Sequence, residues 1–218
     1  MTTRVLLVDD HKIIRDGLRK LLEEQSGYEV VGEAADGREG VRLALELRPD
    51  IVVMDIAMKG LNGVEATQKI LSEAPRIQVI ALSMHSDAPY VSRMLKAGAR
   101  GYLLKDCAFE ELTTALQQVA ERRLYLSPQV TGVVVDDYVR KMDTDDGAEP
   151  RPELTPKERE VLQLLAEGQS TKEMASTLSV SVKTIETHRG NIMNKLELRS
   201  IAELTKFAIR SGLTSLGD

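Results

Sequence analysis

The sequence contains a single cysteine, no tryptophan and few aromatic residues of any kind. Because Cys107 is alone among 218 residues, an internal disulfide and a cysteine-cluster zinc site are both excluded. Aromatic residues make up 3% of the chain, too few for the base-stacking surface of a protein that binds single-stranded nucleic acid. Apolar runs such as 51–54 fall far short of the ~20 residues that a membrane-spanning helix needs. The N-terminus also lacks the apolar core of a signal peptide, so we expect a cytoplasmic protein with no membrane partner.

The net charge of −5 is divided unevenly along the chain. Residues 151–218 hold ten Lys/Arg and nine Asp/Glu, a balance of +1, which leaves nineteen and twenty-five, a balance of −6, for residues 1–150. The acidic part is therefore a poor nucleic-acid binder. The C-terminal part can be one if its positive charges share a face.

The first ~125 residues alternate between two hydrophobic periods, as is typical of α/β proteins. Short continuous apolar runs predict strands near 5–8, 30–31, 51–54, 79–82 and 102–104. Helical spacing of apolar residues follows each run, at 13–22, 40–47, 64–71, 90–97 and 112–120. Five such β-α units predict a five-stranded parallel sheet with helices on both faces, in the flavodoxin-like order 2-1-3-4-5.

Composition changes after residue 126. Residues 130–139 are apolar enough for one helix, whereas 143–152 are rich in Asp, Gly and Pro and are typical of a linker. Beyond them, Thr155 and Glu158 predict a capping box at the start of a helix, with Pro156 at its first position. Three more helices are predicted at 170–178, 182–196 and 200–211. We therefore predict one domain at 1–126, a linker at 127–152 with a possible helix, and an all-α four-helix domain at 153–218.

Five polar residues lie at the predicted carboxyl ends of strands. Asp9 and Asp10 follow the first strand, and Asp55, Ser83 and Lys105 end the third, fourth and fifth. Ligands of open α/β sheets bind at this edge. Clustered carboxylates need a cation, and their oxygens suit Mg²⁺, while a carboxylate can also attack phosphorus to give an aspartyl-phosphate. Each aspartate alone is better explained as a helix cap or turn residue, so the joint placement is the signal.

The third C-terminal helix has an apolar back and a small, polar front. Its apolar face carries Val182, Ile185, Ile192 and Leu196. The opposite face carries Lys183, Thr187, Gly190, Asn191 and Asn194. Such a helix, preceded by a short helix and a three-residue turn, fits a helix-turn-helix that enters the major groove of double-stranded DNA. A four-helix unit with a purely packing role is the alternative.

Several motifs in residues 3–125 resemble the receiver domain of bacterial two-component response regulators. They are Val8-Asp9-Asp10-His11, Met54-Asp55-Ile56, Gly60-Leu61-Asn62-Gly63, Leu82-Ser83 and the stretch 98–105. The resemblance implies that Asp55 accepts a phosphoryl group from a sensor histidine kinase. It implies a Mg²⁺ cofactor held by Asp10, Asp55 and the backbone carbonyl of Ala57, with help from Asp9.

The same resemblance assigns roles around the phosphoryl group. Ser83 and Lys105 contact its oxygens, and Tyr102 is the aromatic residue whose rotation accompanies activation. Lys59 stands where receivers commonly have proline and adds positive charge near the site. His85 occupies a position that tunes phosphoryl lifetime in this family, although a surface histidine without a role explains it equally well.

Residues 151–215 resemble the LuxR-type helix-turn-helix, through Leu154–Leu162, Gly168 and the motif at 182–196. Its family positions place Glu186, Thr187 and Gly190 at base edges. The complete set of predicted DNA contacts is Lys172, Lys183, Thr184, Glu186, Thr187, His188, Gly190, Asn191 and Lys195. The family's dimerisation helix is the fourth, with Ile201, Leu204, Phe207 and Ala208, although these residues can also seal the domain core.

A receiver followed by this helix-turn-helix is the architecture of the NarL/FixJ class of response regulators. It implies a transcriptional regulator in which phosphorylation of Asp55 gates homodimerisation and promoter binding, and which has no enzymatic activity beyond self-phosphorylation and dephosphorylation. The alternative within this class is a phosphorylation-independent DNA-binding regulator with a vestigial receiver. A phosphatase of the haloacid-dehalogenase type is disfavoured because Ala57 stands where such enzymes carry a second aspartate.

Overall fold

The computed structural model describes residues 2–143 and 154–214. The chain divides into two compact units, Met1–Thr144 and Asp145–Asp218. Most of the predicted linker segment at 143–152 lies outside the described residues, as do residues 153 and 215–218 of the predicted second domain.

The first unit is a parallel sheet covered by helices on both faces. Its strands are β1 (Thr3–Val8), β2 (Tyr28–Ala34), β3 (Ile51–Asp55), β4 (Gln78–Ser83), β5 (Gly101–Leu104) and β6 (Tyr125–Leu126). Its helices are α1 (Lys12–Glu23), α2 (Gly37–Leu47), α3 (Gly63–Glu73), α4 (Ala88–Lys96), α5 (Ala108–Ala120) and α6 (Pro128–Asp143). The strand order is 2-1-3-4-5-6, which confirms the predicted flavodoxin-like order.

The central strands contain continuous apolar runs because each of their faces packs on a separate core. On β1, Leu6 and Val8 belong to one hydrophobic cluster, and Val5 and Leu7 belong to the other. Helices α2, α3 and α4 contribute to the first cluster, whereas α1 and α5 contribute to the second. Alternate side chains of a strand point to opposite faces, so a strand buried on both sides reads as a continuous apolar run.

The prediction of five strands was wrong because β6 adds a sixth. Its two residues pair in parallel with β5, and Leu126 stands opposite Tyr102. Ser127 continues the contact, since its backbone N–H donates to the carbonyl of Tyr102 at 2.9 Å. A two-residue strand carries no hydrophobic period, so only its tertiary pairing reveals it. The following helix α6 packs on α4 and buries Val130 completely.

The second unit consists of α7 (Pro156–Ala166), α8 (Thr171–Leu178), α9 (Val182–Leu196) and α10 (Ile201–Arg210). Capping boxes start three of them, at Thr155, Ser170 and Ser200, where each serine or threonine is paired with a glutamate three residues later. The turn between α8 and α9 begins at Ser179 in the left-handed region (φ 54°). Val182 at the start of α9 is 40% exposed, so Ile185 and Ile192 are the buried residues of this helix.

Two helical glycines in the first unit differ sharply in the space around them. A Cβ on Gly63 would lie 2.0 Å from the carbonyl oxygen of Asp55, whereas a Cβ on Gly132 would meet nothing within 4 Å. We expect Gly63→Ala to destabilise the unit by more than about 2 kcal/mol, because the backbone of β3 would have to move. We expect Gly132→Ala to stabilise it by about 0.5–1 kcal/mol, since alanine loses less backbone entropy in a helix.

Urea unfolding of the two variants beside the wild type measures both effects. Equal changes in the free energy of unfolding at the two positions would contradict the proposed close approach of α3 to the end of β3.

Candidate functional site

Three carboxylates meet at the carboxyl edge of the sheet, where β1 and β3 are neighbours. Asp9 and Asp10 follow β1 and Asp55 ends β3. Together with His11 they offer ligand atoms that all lie within 4.8 Å of one another. Asp9 and Asp55 are 2% and 1% exposed, so two of the carboxylates are removed from water. Their mutual repulsion requires a nearby positive charge.

Lys105 supplies that charge from the end of β5. Its ammonium lies 2.8 Å from Asp9 Oδ2 and 2.9 Å from Asp55 Oδ2. Burial alone would lower the pKa of Lys105, but the charge of Asp55 and the hydrogen bond and charge of Asp9 outweigh it and raise the pKa above its ordinary value. Lys105 is therefore a permanent cation between the two buried carboxylates.

The pKa of Asp55 is raised from 3.8 to about 6. Burial is the main cause, and the charge of Asp9 raises it further, while Lys105 and the backbone N–H of Ala57 act in the opposite direction. At neutral pH Asp55 is thus ionised, but its ionised form is less stable than that of an exposed aspartate. An additional cation at the site would stabilise the ionised form.

The donor set fits a magnesium ion. The carboxylate oxygens are hard ligands of the kind Mg²⁺ prefers, and they come from two strands held in fixed register. The backbone N–H of Ala57 lies 3.3 Å from Asp55 Oδ1, so the main chain of Ala57 is beside the same carboxylate. Asp9, Asp10, Asp55 and Ala57 are the residues that would hold the ion.

Ser83 ends β4, the neighbour of β3, and Tyr102 lies on β5, the neighbour of β4. Both residues are buried. Ser83 Oγ accepts a hydrogen bond from the backbone N–H of His85 at 3.0 Å. The Tyr102 hydroxyl donates to the carbonyl oxygen of His85 at 2.6 Å. The His85 ring stacks on Tyr90 with ring centroids 4.2 Å apart. The β4–α4 loop therefore connects Ser83, at the end of β4, to Tyr102 and α4.

The front of α9 in the second unit is exposed as the helical wheel predicts. Its exposed residues include Lys183, Glu186, Thr187, Gly190, Asn191 and Asn194. Thr184 and His188 are half-buried at the edge of this face, and Lys172 on α8 is exposed. A Cβ on Gly190 would meet nothing within 4 Å, so this position leaves a gap in the side-chain surface.

Two family models match the chain. The response regulator receiver domain matches residues 5–117, and the LuxR family of bacterial regulatory proteins matches residues 152–208. The chain is a response regulator of the NarL/FixJ class.

Relatives of this response regulator share its whole length. The transcriptional regulatory protein LiaR of Bacillus subtilis is 39% identical over 212 residues, which are 97% of this chain and 99% of LiaR. The oxygen regulatory protein NreC of Staphylococcus epidermidis is 37% identical over 214 residues, which are 96% of this chain and 98% of NreC. The solved structure of an RcsB–DNA complex is 28% identical, with a TM-score of 0.59 over 95% of this chain and 98% of RcsB.

Three residues of this response regulator that were predicted to contact DNA or a second copy of the chain have side chains engaged within the second unit itself. Lys195 on α9 is bound to Glu158 of α7, with Nζ 2.7 Å from Oε2. Leu204 and Ala208 on α10 are fully buried in the core of the second unit, so their side chains serve packing. Ile201 is 55% exposed and Phe207 is half-buried, which leaves these two as the accessible part of the predicted dimer set.

Sequence reasoning assigned no role to two residues beside the carboxylates. His11 Nδ1 lies 2.8 Å from Asp10 Oδ1 and 3.3 Å from Lys105 Nζ. Arg15 donates from Nη1 to the carbonyl of Asp9 at 2.5 Å and from Nε to Glu33 at 3.1 Å. Adjacency to Asp10 is a signal for His11. Arg15 lies one helical turn further along α1, and only the fold brings it back to the end of β1.

Among the residues that the structure describes, no helix combines the length and apolarity needed to cross a bilayer.

The raised pKa of Asp55 predicts how its replacement changes stability. Folding raises this pKa from near 3.8 to about 6, so the folded receiver takes up a proton in that window and its stability falls as the pH rises through it. Without Mg²⁺, we expect Asp55→Asn to raise the free energy of unfolding by about 1–3 kcal/mol at neutral pH. The gain should shrink as the pH falls through 6 towards 4.

Thermal or urea unfolding across this pH range measures the effect. Asp136→Asn, at an exposed carboxylate on α6, is the matched control and should leave stability unchanged. A pH-independent gain for Asp55→Asn would contradict the assigned cause.

Proposed function

We propose that this response regulator is a phosphorylation-controlled, sequence-specific transcriptional regulator in which Asp55 is the phosphoacceptor. The observation that carries the proposal is the bridging of Asp9 and Asp55 by the buried Lys105 ammonium, 2.8 and 2.9 Å away. A lysine in this position neutralises the ground-state carboxylates and remains available to the oxygens of an incoming phosphoryl group. The proposed donor is a phosphohistidine on a sensor histidine kinase.

The proposed reaction uses Asp55 as the nucleophile. Its carboxylate oxygen forms a bond to phosphorus as the bond from phosphorus to the donor's imidazole nitrogen breaks, and the imidazole leaves with the electron pair. Bound Mg²⁺ would offset the charge of the phosphoryl oxygens. Asp9 and Asp10, with Asp55, would hold the ion, Lys105 pairs with one phosphoryl oxygen, and Ser83 donates its hydroxyl to another.

The Ser83–His85–Tyr102 connection supports a proposed route from the site to the face of α4. Once Ser83 Oγ turns to a phosphoryl oxygen, its hydrogen bond from the His85 N–H at 3.0 Å is released. The same loop accepts the Tyr102 hydroxyl at the His85 carbonyl, so Tyr102 and α4 repack together. We propose that this change favours a DNA-competent homodimer.

The proposed domain limits are a receiver at 1–126, a linker at 127–152 that contains α6, which packs on α4 of the receiver, and a DNA-binding domain at 153–218. The exposed polar front of α9 supports its placement in the major groove, with Glu186, Thr187 and Gly190 at base edges. The RcsB–DNA complex shows a relative bound to DNA. Residues 170–199 hold five Lys/Arg and three Asp/Glu, so one copy should bind weakly, and a dimer on two half-sites gains the missing affinity.

Phosphorylation at Asp55 is tested with acetyl phosphate and Mg²⁺. We expect the wild type and Asp136→Asn to gain the mass of one phosphoryl group, and Asp55→Asn to gain none. We also expect beryllofluoride with Mg²⁺ to tighten promoter DNA binding by the wild type and Asp136→Asn but not by Asp55→Asn. If Asp55→Asn binds DNA and responds to the phosphodonor as the wild type does, the receiver is vestigial and the proposal fails.

Gly190 tests the groove-facing side of α9. Because a Cβ there meets no atom within 4 Å, we expect Gly190→Ala to stabilise the helix by up to about 1 kcal/mol. The added methyl group should nevertheless weaken specific DNA binding, since it fills the gap through which base edges approach. Unfolding and DNA-binding titrations on one preparation measure both. Ser176→Ala, at an exposed position of α8, is the control, and unchanged DNA affinity for Gly190→Ala would remove Gly190 from the interface.

A further inference from the structure

One lysine of the recognition helix α9 forms an ion pair within the second unit. The Lys195 ammonium lies 2.7 Å from Oε2 of Glu158, 37 residues earlier in the chain. The Glu158 side chain is 4% exposed and that of Lys195 is 32% exposed, so the carboxylate is sheltered from water. In this respect Lys195 differs from Lys183, at the other end of the same helix, which is exposed.

Glu158 connects two helices through a single oxygen atom. Oε2 also accepts a hydrogen bond from the Thr155 backbone N–H at 2.8 Å, which closes the capping box of α7. Burial alone would raise the pKa of Glu158, but the hydrogen bonds from Lys195 and Thr155 lower it below its ordinary value. The carboxylate is therefore ionised at neutral pH and joins the last turn of α9 to the first turn of α7.

Apolar packing holds one face of α9 against the core of the second unit, through the buried Ile185 and Ile192 and the half-buried Met193 and Leu196. These contacts are non-directional, so a directional contact can define the rotation of the helix about its axis more closely. Successive residues are ~100° apart around a helix, so a small rotation moves Glu186 and Thr187 away from the groove-facing direction. An ion pair of 2.7 Å with a carboxylate that is itself held by a cap is directional and resists this rotation.

We propose that Lys195 is a positioning residue, held by Glu158, that sets the orientation of the recognition helix and makes no phosphate contact. The proposal rests on the proposed DNA-binding role of α9. A lysine that left Glu158 for a DNA phosphate would strand a buried carboxylate, which is unfavourable. Of the lysines predicted to contact DNA, the exposed Lys172 and Lys183 then remain for phosphate contacts.

The salt dependence of DNA binding separates the two roles. Each ionic phosphate contact contributes about −0.9 to the slope of log K against log salt concentration. The full-length chain and its variants would be titrated with a mixed-sequence duplex over about 50–200 mM salt. We expect Lys183→Met and Lys172→Met to reduce the steepness of the slope by about 0.9 each, and Lys195→Met to leave it unchanged.

Affinity at one salt concentration provides the second readout. We expect Lys195→Met and Glu158→Gln each to weaken binding by about threefold to tenfold, and the double variant to be no weaker than either single variant. Glutamine keeps an oxygen for the Thr155 N–H, and removal of a negative charge would by itself strengthen binding, so a loss for Glu158→Gln indicates misplacement of α9. Lys195→Arg keeps the pair and should bind as the wild type does.

The outcomes separate this inference from the proposed function. A slope that falls for Lys195→Met as it does for Lys183→Met, or tighter binding by Glu158→Gln, overturns the positioning role alone. Unchanged slopes for Lys172→Met and Lys183→Met overturn the DNA-binding face itself. Circular dichroism establishes that each variant is folded at the temperature of the titration, and if Lys195→Met is not, Glu158→Gln and Lys195→Arg still decide the matter.

Discussion

The structure of the first unit depends on compensation of buried negative charge by one lysine. Asp9 and Asp55 are almost completely excluded from water, and the Lys105 ammonium lies within 2.9 Å of an oxygen of each. Two buried carboxylates in contact would otherwise repel strongly, because the low dielectric of the interior does not screen them. The raised pKa of Asp55 shows that the compensation is incomplete. A site in this condition favours a divalent cation and responds to any change in its charge.

The surrounding fold holds these charges at fixed positions. Because β1 and β3 are neighbours buried on both faces, the backbone that carries Asp9 and Asp55 cannot relax away from repulsion without disturbing two cores. The close approach of Gly63 to the Asp55 carbonyl adds α3 to the constraint. A change of charge at the site is therefore accommodated more easily by the β4–α4 loop, where His85 is hydrogen-bonded to both Ser83 and Tyr102.

In the second unit a lysine also compensates a buried carboxylate, but the proposed role of that ion pair is to orient a helix. There an ion pair between Glu158 and Lys195 joins two helices that enclose a small apolar core. Its value is geometric, because apolar contacts specify burial while a short charged hydrogen bond also specifies direction. The exposed residues of α9 are consequently presented at a defined angle. The same unit places Leu204 and Ala208 of α10 in its core, so Ile201 and Phe207 are the accessible part of the dimer set predicted on this helix.

Local patterns in the sequence determined the α/β alternation, the capping box of α7 and the polar front of α9, because each depends on residues a few positions apart. They also placed Asp9, Asp55, Ser83 and Lys105 at strand ends, from which convergence follows once the sheet is parallel. Only the tertiary structure decided the sixth strand, the return of Arg15 to the Asp9 carbonyl and the pairing of Lys195 with Glu158. The physical reason is that these contacts join residues distant in sequence or too few to form a period, so their partners are defined only when separate elements pack together.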